Sequence, residues 1–232
     1  MKNIYILFVL IVFPFILLSR SNKTWTGSTS TNWRTASNWS PSGVPASSDN
    51  ITIPNVTNDP IIDTTLSTGI LTLSTGASLN LGTFTITTSG LATLNSATIN
   101  NGKLVSNGGI SATNSIVDVN LSISGNNITL TGSTFKKTSY IIKTGATTMF
   151  CGGNIFEKPL HLTNSASANL YFGYINPDTF KDSVISSVSS SSVIYFAYSS
   201  ANNVFEGFTR FERTSSATSN GFFFCQGNSN AS

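Results

Sequence analysis

An aromatic repeat runs through the last third of the chain and constrains the fold more than any other feature. Met149-Phe150-Cys151-Gly152-Gly153-Asn154-Ile155-Phe156 is followed by Tyr171-Phe172-Gly173 with Asp178-Thr179-Phe180. Tyr195-Phe196-Ala197 with Asn203-Val204-Phe205 and then Phe223-Phe224-Cys225-Gln226-Gly227-Asn228 complete the series. Aligned on Phe150, Phe172, Phe196 and Phe224, the copies lie 22, 24 and 28 residues apart. A strand-and-turn unit this short cannot bury its own apolar face, but a stack of such units buries a continuous one. The spacing therefore predicts an all-β chain wound as a single-stranded parallel (right-handed) β-helix, an antiparallel sandwich being the fallback. Equivalent residues then form columns about 4.8 Å apart from coil to coil. One column would be phenylalanines. Another would hold the turn residues Asn154, Asp178, Asn203 and Asn228, with stacked side chains bonding one another.

The preceding stretch reads the same way at a shorter period. Leu71-Thr72-Leu73, Leu79-Asn80-Leu81, Phe84-Thr85-Ile86, Val117-Asp118-Val119 and Ile128-Thr129-Leu130 alternate apolar and polar residues. Gly, Asn and Ser separate them, as expected of short strands joined by turns. Residues 61–232 are thus expected to form the repeat region, roughly seven coils at about 23 residues each. Residues 22–60 hold all three tryptophans, Trp25, Trp33 and Trp39, between the turn signals Gly27, Pro41, Gly43 and Pro45. A repeat stack exposes an apolar end, so this segment reads as its N-terminal cap. A tryptophan-lined sugar site is the alternative.

Residues 1–21 have the pattern of a secretory signal peptide. Lys2 precedes an apolar run, Ile4 to Leu18, and Ser19-Arg20-Ser21 supplies small residues for cleavage before Asn22. The run is shorter than the ~20 residues of a membrane-spanning helix and contains Pro14. The expected location is extracellular or on the outer cell surface, with no membrane span in the mature chain. Ser, Thr and Asn supply 93 of the 232 residues and charged residues only 9%. Abundant Ile, Val and Thr and 16 Phe supply what a disordered chain lacks. The formal charge of +3 falls to +1 once Lys2 and Arg20 leave, so no nucleic-acid footprint is expected.

The Trp25-Thr26-Gly27 opening, the string N-W-S-P-S-G-V-P-A-S-S-D-N-I-T-I-P from Asn38 to Pro54, and the F-x-G-N-x-F type repeats together resemble secreted adhesin-like β-helix surface proteins of Bacteroidetes-type bacteria. That resemblance implies a secreted or cell-surface location. Such proteins usually carry more coils and a C-terminal sorting domain, so the chain is expected to be the N-terminal part of a longer one.

For function, the sequence points to a non-enzymatic extracellular surface or adhesin-like module. The alternative is a carbohydrate-active β-helix enzyme, a polysaccharide lyase or glycoside hydrolase, or a fragment of one. Glycoside hydrolysis needs two carboxylates at a defined separation. Glu157, Lys181 and Glu206 each follow a repeated Phe, and a surface ion-pair ladder explains the trio more simply than an acid pair. His161 is the chain's one histidine and reads as a polar strand residue. Asp59 with Asp63 is too sparse for a calcium site. No catalytic residue, cofactor or metal ligand is assigned. If Leu170, Phe172 and Tyr174 face the core, Tyr171 faces outward together with its equivalents Met149, Tyr195 and Phe223. Tyr171, Tyr195 and Phe223 are thus a candidate ligand-stacking strip for surface glycans or protein receptors, unless such residues merely cover one another. Cys151 and Cys225, three coils apart at one repeat position, would lie about 14 Å apart and remain free thiols.

Overall fold

A computed structural model describes residues 20–189, 192–196, 203–214 and 221–224. The signal segment up to Ser19 lies outside the described residues, as do Ala197, Cys225 and Asn228. The chain is an all-β parallel solenoid of about seven turns.

Three parallel sheets run along it. The first, seven-stranded, extends from Asn127–Thr131 through Gly109–Thr113, Ala92–Asn95, Leu71–Leu73 and Asn50–Ile53 to Asn22–Trp25 and Trp39–Ser40. Only the last of these pairs antiparallel. The second sheet has thirteen strands, and the third has four: Met149–Phe150, Leu170–Phe172, Ile194–Phe196 and Phe222–Phe224.

Alternation within each strand sets the core. In Leu71–Leu73 and Leu170–Phe172 the outer two residues are buried and the middle one is half-buried, as a pleat with one face inward requires. One core column runs Leu79, Ile99, Val117, Phe135, Phe156, Phe180, Phe205 in unbroken register. Its phenylalanines stack at centroid distances of 4.7 Å, 5.3 Å and 4.8 Å. A second column holds Phe172, Phe196 and Phe224.

Phe150 does not belong to that second column. It pairs with Tyr171, and Met149 with Leu170, so the expected alignment is one residue out at its first copy. Cys151 therefore takes the core position that Phe172 holds in the next coil, and it is buried. Its expected equivalence with Gly173 fails for the same reason. Gly152 is the residue in line with Gly173.

The tryptophan segment is wound onto the stack. Asn22–Trp25 pairs parallel with Asn50–Ile53, and Asn32 bridges Ile61. Trp25, Trp33 and Trp39 pack edge to face or stacked at 4.6–6.4 Å, and all are buried. Trp25 Nε1 donates to the Asn58 carbonyl at 2.8 Å, and Trp39 Nε1 to the Trp33 carbonyl at 2.7 Å. Buried Asn38 ties the loop down: its Oδ1 accepts from the Thr29 and Ser30 amides and the Thr29 hydroxyl, while its Nδ2 donates to Ser30 Oγ and the Asn32 carbonyl. The indoles consequently present no open face to a sugar.

Candidate functional site

One side of the solenoid carries a single outward column along nearly its whole length. Thr24, Thr52, Thr72, Thr93, Ser111 and Thr129 occupy it in successive coils of the first sheet. Thr131 bridges Gly152, and counting back two residues on each strand sets Thr129 beside Phe150. From there the column is aromatic, running Phe150, Tyr171, Tyr195, Phe223. The outward strip expected from the sequence is present, with Phe150 in the place assigned to Met149. Tyr174 does not face the core with Leu170 and Phe172: it is half-buried and packs against Phe150 at 4.4 Å.

The strip's geometry limits what it can offer. Phe150–Tyr171, Tyr171–Tyr195 and Tyr195–Phe223 are stacked at 5.0 Å, 4.4 Å and 5.3 Å, within 20° of parallel. Each ring face inside the column is covered by its neighbour, so the strip shows edges and phenol oxygens outward rather than open faces. Such pairs stabilise by about 0.5–1.5 kcal/mol each, a structural role that coexists with any binding role.

A cleft of about 140 Å³ opens where hydroxyls give way to aromatics, lined by Thr131, Phe150, Cys151, Gly152, Tyr174, Ile175 and Asn176. Phe150 and Ile175 on its rim are 42% and 67% exposed. Ile175 also holds φ at +70°, in the left-handed region where β-branched residues are strained.

Beneath this corner runs a buried polar ladder. The amides of Ala97 and Ser115 donate to Ser115 Oγ and Ser133 Oγ one coil on, both at 3.1 Å. The Ser133 amide donates to Asn154 Oδ1 at 3.1 Å, Asn154 to Asp178 Oδ1 at 2.7 Å, and Asp178 to Asn203 Oδ1 at 2.7 Å. The expected turn column is there, but its bonds run mainly from side chain to backbone. Asn154 Nδ2 to Asp178 Oδ1, at 2.9 Å, is the one link between its side chains among the described residues. Each rung satisfies an amide that the corner turns away from the sheet, which a buried N–H requires.

Asp178 is the anomaly in that column. In the coil before, Asn154 Nδ2 donates to the Leu130 carbonyl at 2.9 Å. The second oxygen of Asp178, Oδ2, instead accepts from a donor in its own coil, the Gly173 amide, at 2.5 Å. An amide side chain would place N–H against N–H there; a carboxylate does not. Gly173 has φ +66°, and a Cβ on it would collide with the Asn203 carboxamide, so only glycine delivers that N–H. Burial raises the Asp178 carboxyl to about 6, opposed by hydrogen bonds from Asn154 and Gly173. Burial first, and the Asp178 charge second, push the Cys151 thiol well above its usual range.

The remaining titratable candidates sit apart. Glu157 and Lys181 approach at 3.9 Å on the surface, and Glu206 follows one coil on in the same register. His161 lies on the outer face of Leu160–Asn164, stacked on Tyr140 at 4.3 Å. Burial raises Asp59, while Asp63 pairs with Arg34 at 3.0 Å. Lys143 has a buried stem, its pKa is lowered by desolvation, and its ammonium donates to the Gly145 carbonyl at 2.6 Å. No cluster of three or more metal-ligating side chains occurs among the described residues.

Residues 24–159 match the family model described as Domain of unknown function (DUF8693), more than half of the chain. The chain belongs to that family. No curated protein and no solved structure matches it. The DUF8693 segment takes in the tryptophan cluster, the threonine column and the first aromatic, Phe150. Tyr171, Tyr195 and Phe223 lie beyond the DUF8693 match, as does the Tyr174–Asn176 side of the cleft.

Proposed function

We propose that the mature chain is a non-enzymatic extracellular module, adhesin-like, exported through its N-terminal signal and binding surface glycans or protein receptors along its side. The observation that carries this reading is the continuous outward column, which gives the solenoid one unbroken flank from Thr24 to Phe223, hydroxyl-bearing up to Thr129 and aromatic from Phe150 on. The acids support it as well. Asp178, its carboxyl raised to about 6 by burial, is a candidate general acid, yet both its oxygens are taken by N–H donors beneath the surface. Glu157 is engaged with Lys181, as in an ordinary surface ladder.

The test is attachment of the purified chain from Asn22 onward to bacterial or host cells and to immobilised polysaccharides. Replacing Tyr171, Tyr195 and Phe223 together by Ser is expected to lower attachment severalfold and leave the β-rich circular dichroism spectrum in place. Reducing-sugar release or unsaturated-product absorbance from a polysaccharide would overturn the non-enzymatic reading. Undiminished attachment by the triple variant would remove the strip from it.

A further inference from the structure

We infer that the cleft beside Phe150 is a subsite for one pyranose ring of a glycan, with Phe150 as its platform and Thr131 and Asn176 as its hydrogen-bonding rim. This rests on the binding-module reading and names the place and ligand class within it.

Phe150 differs from the other rings of its column. Tyr171 stacks on one face at 5.0 Å, and Tyr174 lies 4.4 Å away. The Tyr171–Tyr174 separation of 6.4 Å sets the two at about a right angle around Phe150. Neither covers the face turned towards the threonine coils. Phe150 lines the cleft together with Thr131 of the preceding coil, on the side away from Tyr171. An uncovered aromatic face packs against the C–H face of a sugar ring, burying apolar area without a cost in polar groups.

The rest of the lining suits the sugar's edge. The Thr131 hydroxyl and the Asn176 carboxamide are exposed and supply donors and acceptors of both kinds. No carboxylate or cation lines the cleft, which favours a neutral ring over a uronic acid or an amine. Its volume, about 140 Å³, is well below the ~300–1,000 Å³ of drug-sized sites. One six-membered ring is therefore the unit it takes, the chain continuing along the flank.

Ile175 is the second, independent sign. Gly or Asn would adopt φ +70° with less strain, and a β-branched apolar side chain two-thirds exposed is an uneconomical choice for a turn. Strain held at an exposed rim marks a contact surface more readily than a structural need.

Saturation-transfer NMR on the chain from Asn22 onward, with methyl β-glucoside, methyl β-galactoside, methyl α-mannoside and N-acetylglucosamine, and sorbitol as the acyclic control, reads this directly. At least one pyranoside is expected to receive saturation at its ring C–H protons while sorbitol does not. Phe150→Ala is expected to weaken that binding about tenfold, and Ile175→Gly severalfold without lowering the thermal midpoint. Tyr140→Ser, an exposed ring on the second sheet outside both the cleft and the strip, should retain it. Silence from all four pyranosides at tens of millimolar, or equal signal from Phe150→Ala, overturns the subsite. If cell attachment persists in Phe150→Ala but fails in the strip variant, the subsite falls and the binding module stands.

Discussion

Asp178 should make this protein less stable as the pH rises from 4 to 7, the reverse of ordinary acid denaturation. Its carboxyl titrates at about 6 in the folded chain, against 3.8 when exposed. Between those values the native state binds more protons than the unfolded one, so unfolding free energy falls with rising pH. The contribution is complete below pH 3.8 and lost as pH passes through about 6. A shift of about two units at 1.36 kcal/mol each gives about 3 kcal/mol. Asp178→Asn removes the titration but turns an amide N–H towards the Gly173 N–H, at a cost of about 1–3 kcal/mol. The variant is therefore expected to be less stable than the parent at pH 4 and nearly level with it at pH 7.5. Solenoids lose structure locally, so urea unfolding followed by circular dichroism should be joined by hydrogen exchange across 150–180. The tryptophans, all within the first turn, serve as a remote control. The comparison must be made as parent minus variant, because Asp59 is also raised by burial and adds a slope of the same sign. If parent and variant show the same slope between pH 4 and 7, the account of Asp178 is wrong.

Two further outcomes follow from the core. Phe180→Ala removes a buried ring stacked between Phe156 at 5.3 Å and Phe205 at 4.8 Å, and should cost about 3–5 kcal/mol in urea unfolding; a cost under 1 kcal/mol would contradict the column. Cys151, buried with its thiol pushed up, should react with iodoacetamide only on unfolding, and non-reducing mass spectrometry should find it unbridged. A Cys151–Cys225 disulfide would refute the three-coil separation between the columns.

The parallel solenoid was legible because its period appears twice in the sequence, as alternation within strands and as aromatic pairs between coils. The register of one coil was not. Met149-Phe150 looks like Tyr171-Phe172 to the eye, but Cys151 is small enough to fill the core slot before the turn, and this shifts Phe150 outward. Hydrophobicity alone does not distinguish the two registers, since either puts an apolar residue inside. Tyr174 was misplaced by extending alternation past Gly173, whose positive φ ends the strand and breaks the period of two. The upper rungs of the ladder, Ser115 and Ser133, were invisible for a different reason. In a chain with 37 serines, nothing marks the two that accept an amide from the preceding coil. The cleft has no sequence signature, because its lining is drawn from three successive coils, Thr131, Phe150–Gly152 and Tyr174–Asn176.

A change in coil length ties ladder, core and flank together. From Ala97 the ladder advances by 18 residues to Ser115 and by 18 to Ser133, then by 21 to Asn154, 24 to Asp178 and 25 to Asn203. Longer coils enclose a wider cross-section, and close packing demands larger side chains to fill it. The core column takes its first phenylalanine, Phe135, 18 residues after Val117, and keeps it at Phe156 and Phe180 as the advance rises to 21 and 24. The ladder answers likewise, from Ser to the longer Asn and Asp, which still reach the amide one coil back. The flank changes from Thr129 to Phe150 at the coil where the ladder's advance rises from 18 to 21 residues. The cleft sits at that step, walled by Thr131 before it and by Tyr174–Asn176 after it. Shortening the Asn154 coil to 18 residues should erase it, along with the platform face of Phe150.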